Sequence, residues 1–329
     1  MKNLKFILKC ILALFPIIAT VVYTALVPFG YMDSEYSAWK YSKDVSKNVA
    51  RFSTDASDTT TLILGDSRAM ADFLPEMFDN TCLNLAVGGA TSIEMYYTLK
   101  EYIDNNGTPE NVIIAFAPFH YTIIDNFWTR TVYFNYLSIT DIEELYSYAE
   151  VTKSETLLKK GYKNDLLSYR LRFPDKYLPA LINSKLIGRY NENKSSYDDI
   201  FSNSGYGPFG TADGSSDLNY EVGYDKLHTT GDALLLDIYM NRLLQLCVDN
   251  NIPTTLTIPP MNRSSYEKLQ DSYVDELKYH LENLASRYKK VNVESIIPMY
   301  EDEFFGDSSH LNLKGANLYT KEYISNHVK

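Results

Sequence analysis

Thr61-Leu62-Ile63-Leu64-Gly65-Asp66-Ser67-Arg68-Ala69-Met70 is the stretch on which the fold turns. A short, wholly apolar run ends abruptly at Gly65, and a helical pattern begins at about Met70. A strand that is apolar on both faces and passes through a tight turn into a helix is the repeating unit of a parallel sheet covered by helices. The alternation continues: strand Cys82 to Val87, helix Ser92 to Asn105, strand Asn111 to Phe116. After Pro118 it breaks for roughly a hundred residues, with helical pieces at Ile142 to Glu150 and Leu157 to Leu171. It returns as helix Thr230 to Asn250, strand Thr254 to Ile258, helix Ser265 to Lys290, strand Val291 to Val293 and helix Lys314 to Asn326. The expected class is therefore α/β with a central parallel sheet and a helical or irregular insertion at about 122–228.

In such a sheet, reactive groups collect in the loops beyond the carboxyl ends of the strands. Ser67 follows the first strand, the Gly88-Gly89 turn the second, and Pro118 to Tyr121 the third. Asp307-Ser308-Ser309-His310 follows the last. A serine in a strand-to-helix turn, joined by a late Asp and His, is the material of nucleophilic catalysis: imidazole takes the hydroxyl proton and the carboxylate orients the ring. Ser67, Asp307 and His310 are the expected catalytic residues. The alternative for Ser67 is a plain helix cap. An α/β-hydrolase elbow fits less well, because Ala69 stands where its last glycine would be.

The rest of the chain sets the context. Lys2, Lys5 and Lys9 precede Cys10 to Phe29, an uncharged run about 20 residues long, enough to cross a bilayer. Residues 1–31 are therefore expected to form a cytoplasmic tip and uncleaved transmembrane anchor, 32–58 a polar stalk, and 59–329 an extracytoplasmic domain. A net charge of -11 argues against nucleic acid, whose phosphates would be repelled. The 28 tyrosines suit a carbohydrate cleft or membrane interface, or ordinary packing. Phe127, Trp128, Tyr133, Phe134 and Tyr136 either dock on a membrane or partner or pack beneath a cap. Cys82 and Cys247 read as buried small hydrophobes, with a disulfide left open. The five histidines are scattered, and neither metal nor cofactor is expected.

Gly65-Asp66-Ser67, the Asn84-Leu85-Ala86-Val87-Gly88-Gly89-Ala90-Thr91 segment and Asp307-Ser308-Ser309-His310, followed by Leu313-Lys314-Gly315, resemble the blocks of the SGNH or GDSL hydrolase superfamily. The resemblance spans the core of 59–329 but not the insertion, and it implies a flavodoxin-like three-layer fold. It also implies an oxyanion hole built from the backbone N–H groups of Ser67 and Gly89. The third block of that family reads Gly-x-Asn-Asp. Here Ala115-Phe116-Ala117-Pro118-Phe119-His120 stands in its place, without the asparagine. His120 is placed to supply the missing donor, or it is simply packed. Arg68 either grips an anionic substrate or pairs with a nearby acid.

An anchored serine enzyme with an altered third block is similar to the envelope branch of that superfamily, which includes the D-alanyl-lipoteichoic acid transfer and alginate O-acetylation proteins. The resemblance implies a bacterial envelope and a serine O-acyltransferase that modifies a cell-surface polysaccharide or teichoic acid through an acyl-serine intermediate. It further implies a multispanning membrane-bound O-acyltransferase as partner. The alternatives are a carbohydrate O-acetylesterase of the same fold and a non-catalytic polysaccharide-binding partner of such an acyltransferase.

Overall fold

The computed structural model describes residues 2–26, 29–51, 60–79, 81–158, 164, 166–167 and 187–327. In chain order its helices and strands are α1 (Lys2–Leu26), α2 (Tyr36–Lys47), β1 (Thr60–Gly65), α3 (Ser67–Asp72), β2 (Thr81–Asn84), α4 (Ser92–Asn106) and β3 (Asn111–Ala115). The insertion carries α5 (Ile139–Thr152) and α6 (Ile187–Ser202). The core resumes with α7 (Gly231–Asp249), β4 (Thr254–Thr257), β5 (Met261–Asn262), α8 (Arg263–Tyr266) and α9 (Asp271–Arg287). It closes with β6 (Val291–Val293), β7 (Met299–Tyr300) and α10 (Leu313–His327).

Five strands form one parallel sheet in the order β2-β1-β3-β4-β6, and β5 and β7 make a small parallel pair. The expected α/β class with a central parallel sheet is what is observed, and the strand order is the flavodoxin-like one. Burial explains the apolar strands: Leu62, Ile63 and Leu64 of β1 and Ile114 of β3 have no exposed surface, as expected where helices cover a parallel sheet. The chain moves outward from β1 to β2, then returns to place β3 on the other side of β1. This reversal opens a crevice at the carboxyl end of β1, where Ser67 stands.

Local chemistry sets the helix starts. Thr91 and Glu94 form a capping box at α4, Ser138 and Asp141 form another at α5, and Thr230 caps α7. The helix expected from Ser265 to Lys290 is instead divided into α8 and α9, with Glu267 to Gln270 between them. Asn262 caps the first piece by accepting from the Ser265 N–H. The expected strand Cys82 to Val87 pairs as a ladder only to Asn84, after which Leu85 and Val87 still donate to Ile63 and Gly65 across the gap.

Two expectations change and one open choice is decided. Among the described residues no helix is long and apolar enough to cross a membrane, so the transmembrane anchor expected over 1–31 is unsupported. Helix α1 does form, over Lys2–Leu26, with Pro16 inside it. It carries exposed apolar groups from Leu4 to Ile18. The stalk expected over 32–58 is not one where it is described. Helix α2 packs on α4 and α6 and buries Trp39, Tyr41 and Val45. Its buried serines are satisfied internally: Ser42 Oγ donates to the Leu85 carbonyl at 2.8 Å and Ser37 Oγ to that of Asn193. Finally, Phe127, Trp128, Tyr133, Phe134 and Tyr136 are all buried, so the packing reading applies and the docking one does not.

Cys82 and Cys247 are buried and unpaired. Most of the helical piece expected at Leu157 to Leu171 lies outside the described residues.

Candidate active site

The site is assembled where β1 ends. Gly65 is required by space: a side chain there would collide with the Ala115 carbonyl of the neighbouring strand and sit 2.7 Å from Ala69 Cβ. Asp66 then caps α3, its Oδ1 accepting the Arg68 N–H at 2.9 Å. Ser67 is thereby fixed as the first residue of the helix rather than preceding it.

From the other end of the chain, His310 reaches Ser67. Nε2 stands 2.8 Å from Ser67 Oγ, and Nδ1 stands 2.9 Å from Oδ2 of Asp307 and 3.0 Å from Oδ1. With the proton on Nδ1, bound to the carboxylate, Nε2 is left as an acceptor for the serine hydroxyl. Partial burial pushes the Asp307 carboxyl up. The His310 ring, together with the backbone N–H groups of Ser309 and His310 at 2.7 and 2.8 Å, outweighs that and brings it down to about 2. Asp307 is thus an anion at any pH near neutrality.

Distant segments hold this geometry. Asp72, in α3, accepts the Leu311 N–H at 3.0 Å, and the Leu74 N–H donates to Thr320 Oγ1 of α10 at 3.0 Å. The helix that begins at Ser67 and the segment that follows His310 are therefore bonded to each other directly. Burial drives the Asp72 carboxyl well above the usual carboxylate range despite the Leu311 bond. Phe209, from the insertion, stacks on the His310 ring at 4.6 Å between centroids and 18° between planes.

The Gly88-Gly89 turn borders the same crevice. Gly89 has φ +74°, a conformation glycine adopts readily. A side chain on it would meet the Asn126 amide nitrogen and Arg130 Nη1, the latter at 2.8 Å. A side chain on Gly88 would meet the Glu35 carboxylate, with Phe209 Cζ at 3.3 Å and Arg130 Nη1 at 3.4 Å. Arg130 Nη1 also donates to the Gly88 carbonyl at 2.8 Å. Asn126 and Arg130 belong to one π-helical turn, Phe127–Val132, with Asn126 as its N-cap. Such turns recur at functional sites. Burial raises the Glu35 carboxyl, helped by the charge of Asp33 and opposed by Arg130 and His310.

The two residues expected to contact substrate sit elsewhere. Arg68 is 2% exposed, and its Nη2 binds Glu221 Oε2 at 2.8 Å. Glu221 also accepts the Phe119 N–H at 2.9 Å. His120 is buried, with Nδ1 2.6 Å from Asp66 Oδ2, while Asp66 accepts the Ala117 N–H at 2.7 Å. Its Nε2 is 3.8 Å from Asp125, too far for a hydrogen bond but close enough for ionic attraction. Both side chains are internal ties beneath the crevice, so of the two readings open for each, Arg68 pairs with an acid and His120 is packed, and neither takes the substrate-binding role.

Sequence reasoning missed Glu35, Asn126, Arg130 and Phe209. Glu35 lay in the supposed stalk and Asn126 and Arg130 in an aromatic stretch, without a motif at any of them. Chemically, the arrangement offers an activated hydroxyl, a base oriented by an anion, and donors along one side, which are the parts of an acyl-transfer site.

Comparison with profiles of known families finds no match, and neither does comparison with curated proteins.

Proposed function

We propose that this protein is a serine acyl-transfer enzyme of the SGNH type, carrying an acyl group on Ser67 and delivering it to a hydroxyl of a cell-surface polysaccharide or teichoic acid. The observation that supports it is the continuous chain from Ser67 Oγ through both ring nitrogens of His310 to Asp307. His310 takes the serine proton as Oγ attacks the acyl carbonyl, and Asp307 stabilises the imidazolium that forms. The backbone N–H groups of Ser67 and Gly89 receive the developing oxyanion. The Asn126 amide, packed against Gly89, supplies a side-chain donor that the altered third block lacks.

Helix α1, with its early lysines and exposed apolar side chains, supports attachment to a membrane, with the enzyme domain on the extracytoplasmic side of a bacterial envelope. On the family resemblance, the acyl group comes from a multispanning membrane-bound O-acyltransferase. The partial exposure of His310 and Asp307 favours a second reading, a carbohydrate O-acetylesterase that releases the same acyl group to water.

Intact-mass analysis of the full-length protein incubated with p-nitrophenyl acetate tests the proposal. A stable acetyl adduct on Ser67, absent from Ser67→Ala, is expected of a transferase, whereas fast turnover without accumulation identifies the esterase. Absence of both adduct and turnover, together with full polymer modification in cells carrying Ser67→Ala, identifies a binding protein and ends the enzyme reading.

A further inference from the structure

Acyl transfer in water requires that the acceptor alcohol be held while water is outcompeted. The side of the crevice formed by the Gly88-Gly89 turn carries a charge pair that the serine chemistry does not use. Glu35, the residue just before α2, places its carboxylate where a Gly88 side chain would be. Arg130 arrives from the insertion and lies over both glycines. Through Phe209, which touches the Gly88 position and stacks on His310, the pair is one ring away from the catalytic imidazole.

Its geometry is unlike that of the other Arg–Glu contacts in the crevice region. Arg68 and Glu221 meet at 2.8 Å with almost no exposure. Arg130 Nη2 and Glu35 Oε1 are 3.8 Å apart, with side chains 24% and 21% exposed. That separation is too long for a direct hydrogen bond, and both groups are largely buried yet reachable from solvent. A hydroxyl group fits between them because it donates to a carboxylate and accepts from a guanidinium at once. A cationic ligand is repelled by Arg130 and an anionic one by Glu35, so the balance of charge selects a neutral ligand.

We propose that Glu35 and Arg130 form the acceptor subsite and that its ligand is a neutral sugar or polyol with adjacent hydroxyls, a claim that rests on the acyl-serine reading above. One hydroxyl is bridged by the pair, and its neighbour is presented to the acyl-Ser67 carbonyl. The attacking hydroxyl loses its proton to His310 Nε2 as its oxygen bonds to the acyl carbon. The ester bond to Ser67 Oγ then breaks, and the same proton passes from Nε2 to Oγ. Nothing is oxidised or reduced, and the free serine is restored. Holding the second hydroxyl converts the acceptor step into one with a high effective concentration.

The test uses the full-length protein, p-nitrophenyl acetate as donor, and ethanol, ethane-1,2-diol, choline and glycolate as acceptors at equal concentration, with the ratio of transferred to hydrolysed acetate measured for each. The wild type is expected to favour ethane-1,2-diol over the other three by about tenfold, the scale of a hydrogen bond to a charged group. Glu35→Gln, with an unchanged melting temperature, is expected to collapse that preference towards the ethanol value. Hydrolysis at Ser67 without diol preference in the wild type overturns the subsite alone, as does preference for choline or glycolate, or a diol preference that survives Glu35→Gln. Failure of the wild type to acylate Ser67 at all overturns the subsite and the acyl-serine reading together.

Discussion

At His120 two physical effects oppose each other, and the stronger one has a measurable consequence. Burial alone would lower the pKa of an imidazole, but attraction to Asp125 and Asp66 raises it to about 9. The ring is therefore a buried cation over the physiological range, clamped to the carboxylate that also caps the nucleophile's helix. Because the folded-state value lies above the unfolded value of about 6.5, the stabilisation is fully present below about pH 6.5. It is lost as pH rises through about 9. The unfolding free energy from urea titrations should fall in the wild type between pH 6 and pH 9.5 by an amount on the order of 3 kcal/mol. His120→Gln should start less stable and vary much less over that window. A wild-type unfolding free energy that is flat across it would mean that His120 is neutral in the folded protein. Asp307 obeys the opposite sign. Its lowered value leaves it ionised until the pH drops towards about 2, so it does not set the acid limb of an activity profile near neutrality.

Among the elements, the decisive contact joins α3 to the end of the insertion. Glu221 has no exposed surface and gathers Arg68 of α3 and the Phe119 N–H of the loop after β3, with Tyr273 Oη of α9 at 3.4 Å. One carboxylate thus ties the nucleophile's helix, the third loop and a core helix together. Removing one partner of a buried pair leaves an uncompensated charge, which typically costs about 3–5 kcal/mol. Glu221→Gln is expected to lower unfolding free energy in urea by that amount. The Arg68→Met, Glu221→Leu double variant should lose less than the sum of the single variants. A loss below about 1 kcal/mol in Glu221→Gln would show that the pair does not organise the site.

Across the whole molecule, what was legible in the sequence depended on how local the physics is. The apolar runs of β1 and β3, the β-branched run of β4 and the adjacent turn chemistry of Asp66, Ser67, Asp307 and His310 are short-range signals, and they marked the sheet and the Ser–His–Asp set. The stretch 32–58 left room for one helical piece, but the burial of helix α2 was hidden because its buried face is built from Ser37, Ser42 and Ser46 as well as Trp39 and Tyr41. Small hydroxyls satisfied by distant carbonyls look solvated in a sequence. Glu35, Asn126, Arg130 and Phe209 converge only through tertiary packing, around glycines whose bare Cα atoms admit them, so no periodicity or spacing announces them. Arg68 and His120 were each open to two readings in the sequence, because the partners that decide between them, Glu221 and Asp66, meet them only inside the fold.

Acyl transfer at this site requires Ser67 to be a nucleophile activated by a histidine 243 positions away. The most direct test of that activation is the rate of covalent labelling of the full-length protein by a fluorophosphonate, with the modified residue located by peptide mass spectrometry. The predicted result is one adduct on Ser67, none in Ser67→Ala, and labelling slowed on the order of a hundredfold or more in His310→Ala. Labelling at another residue, or equal rates in the wild type and His310→Ala, would contradict it.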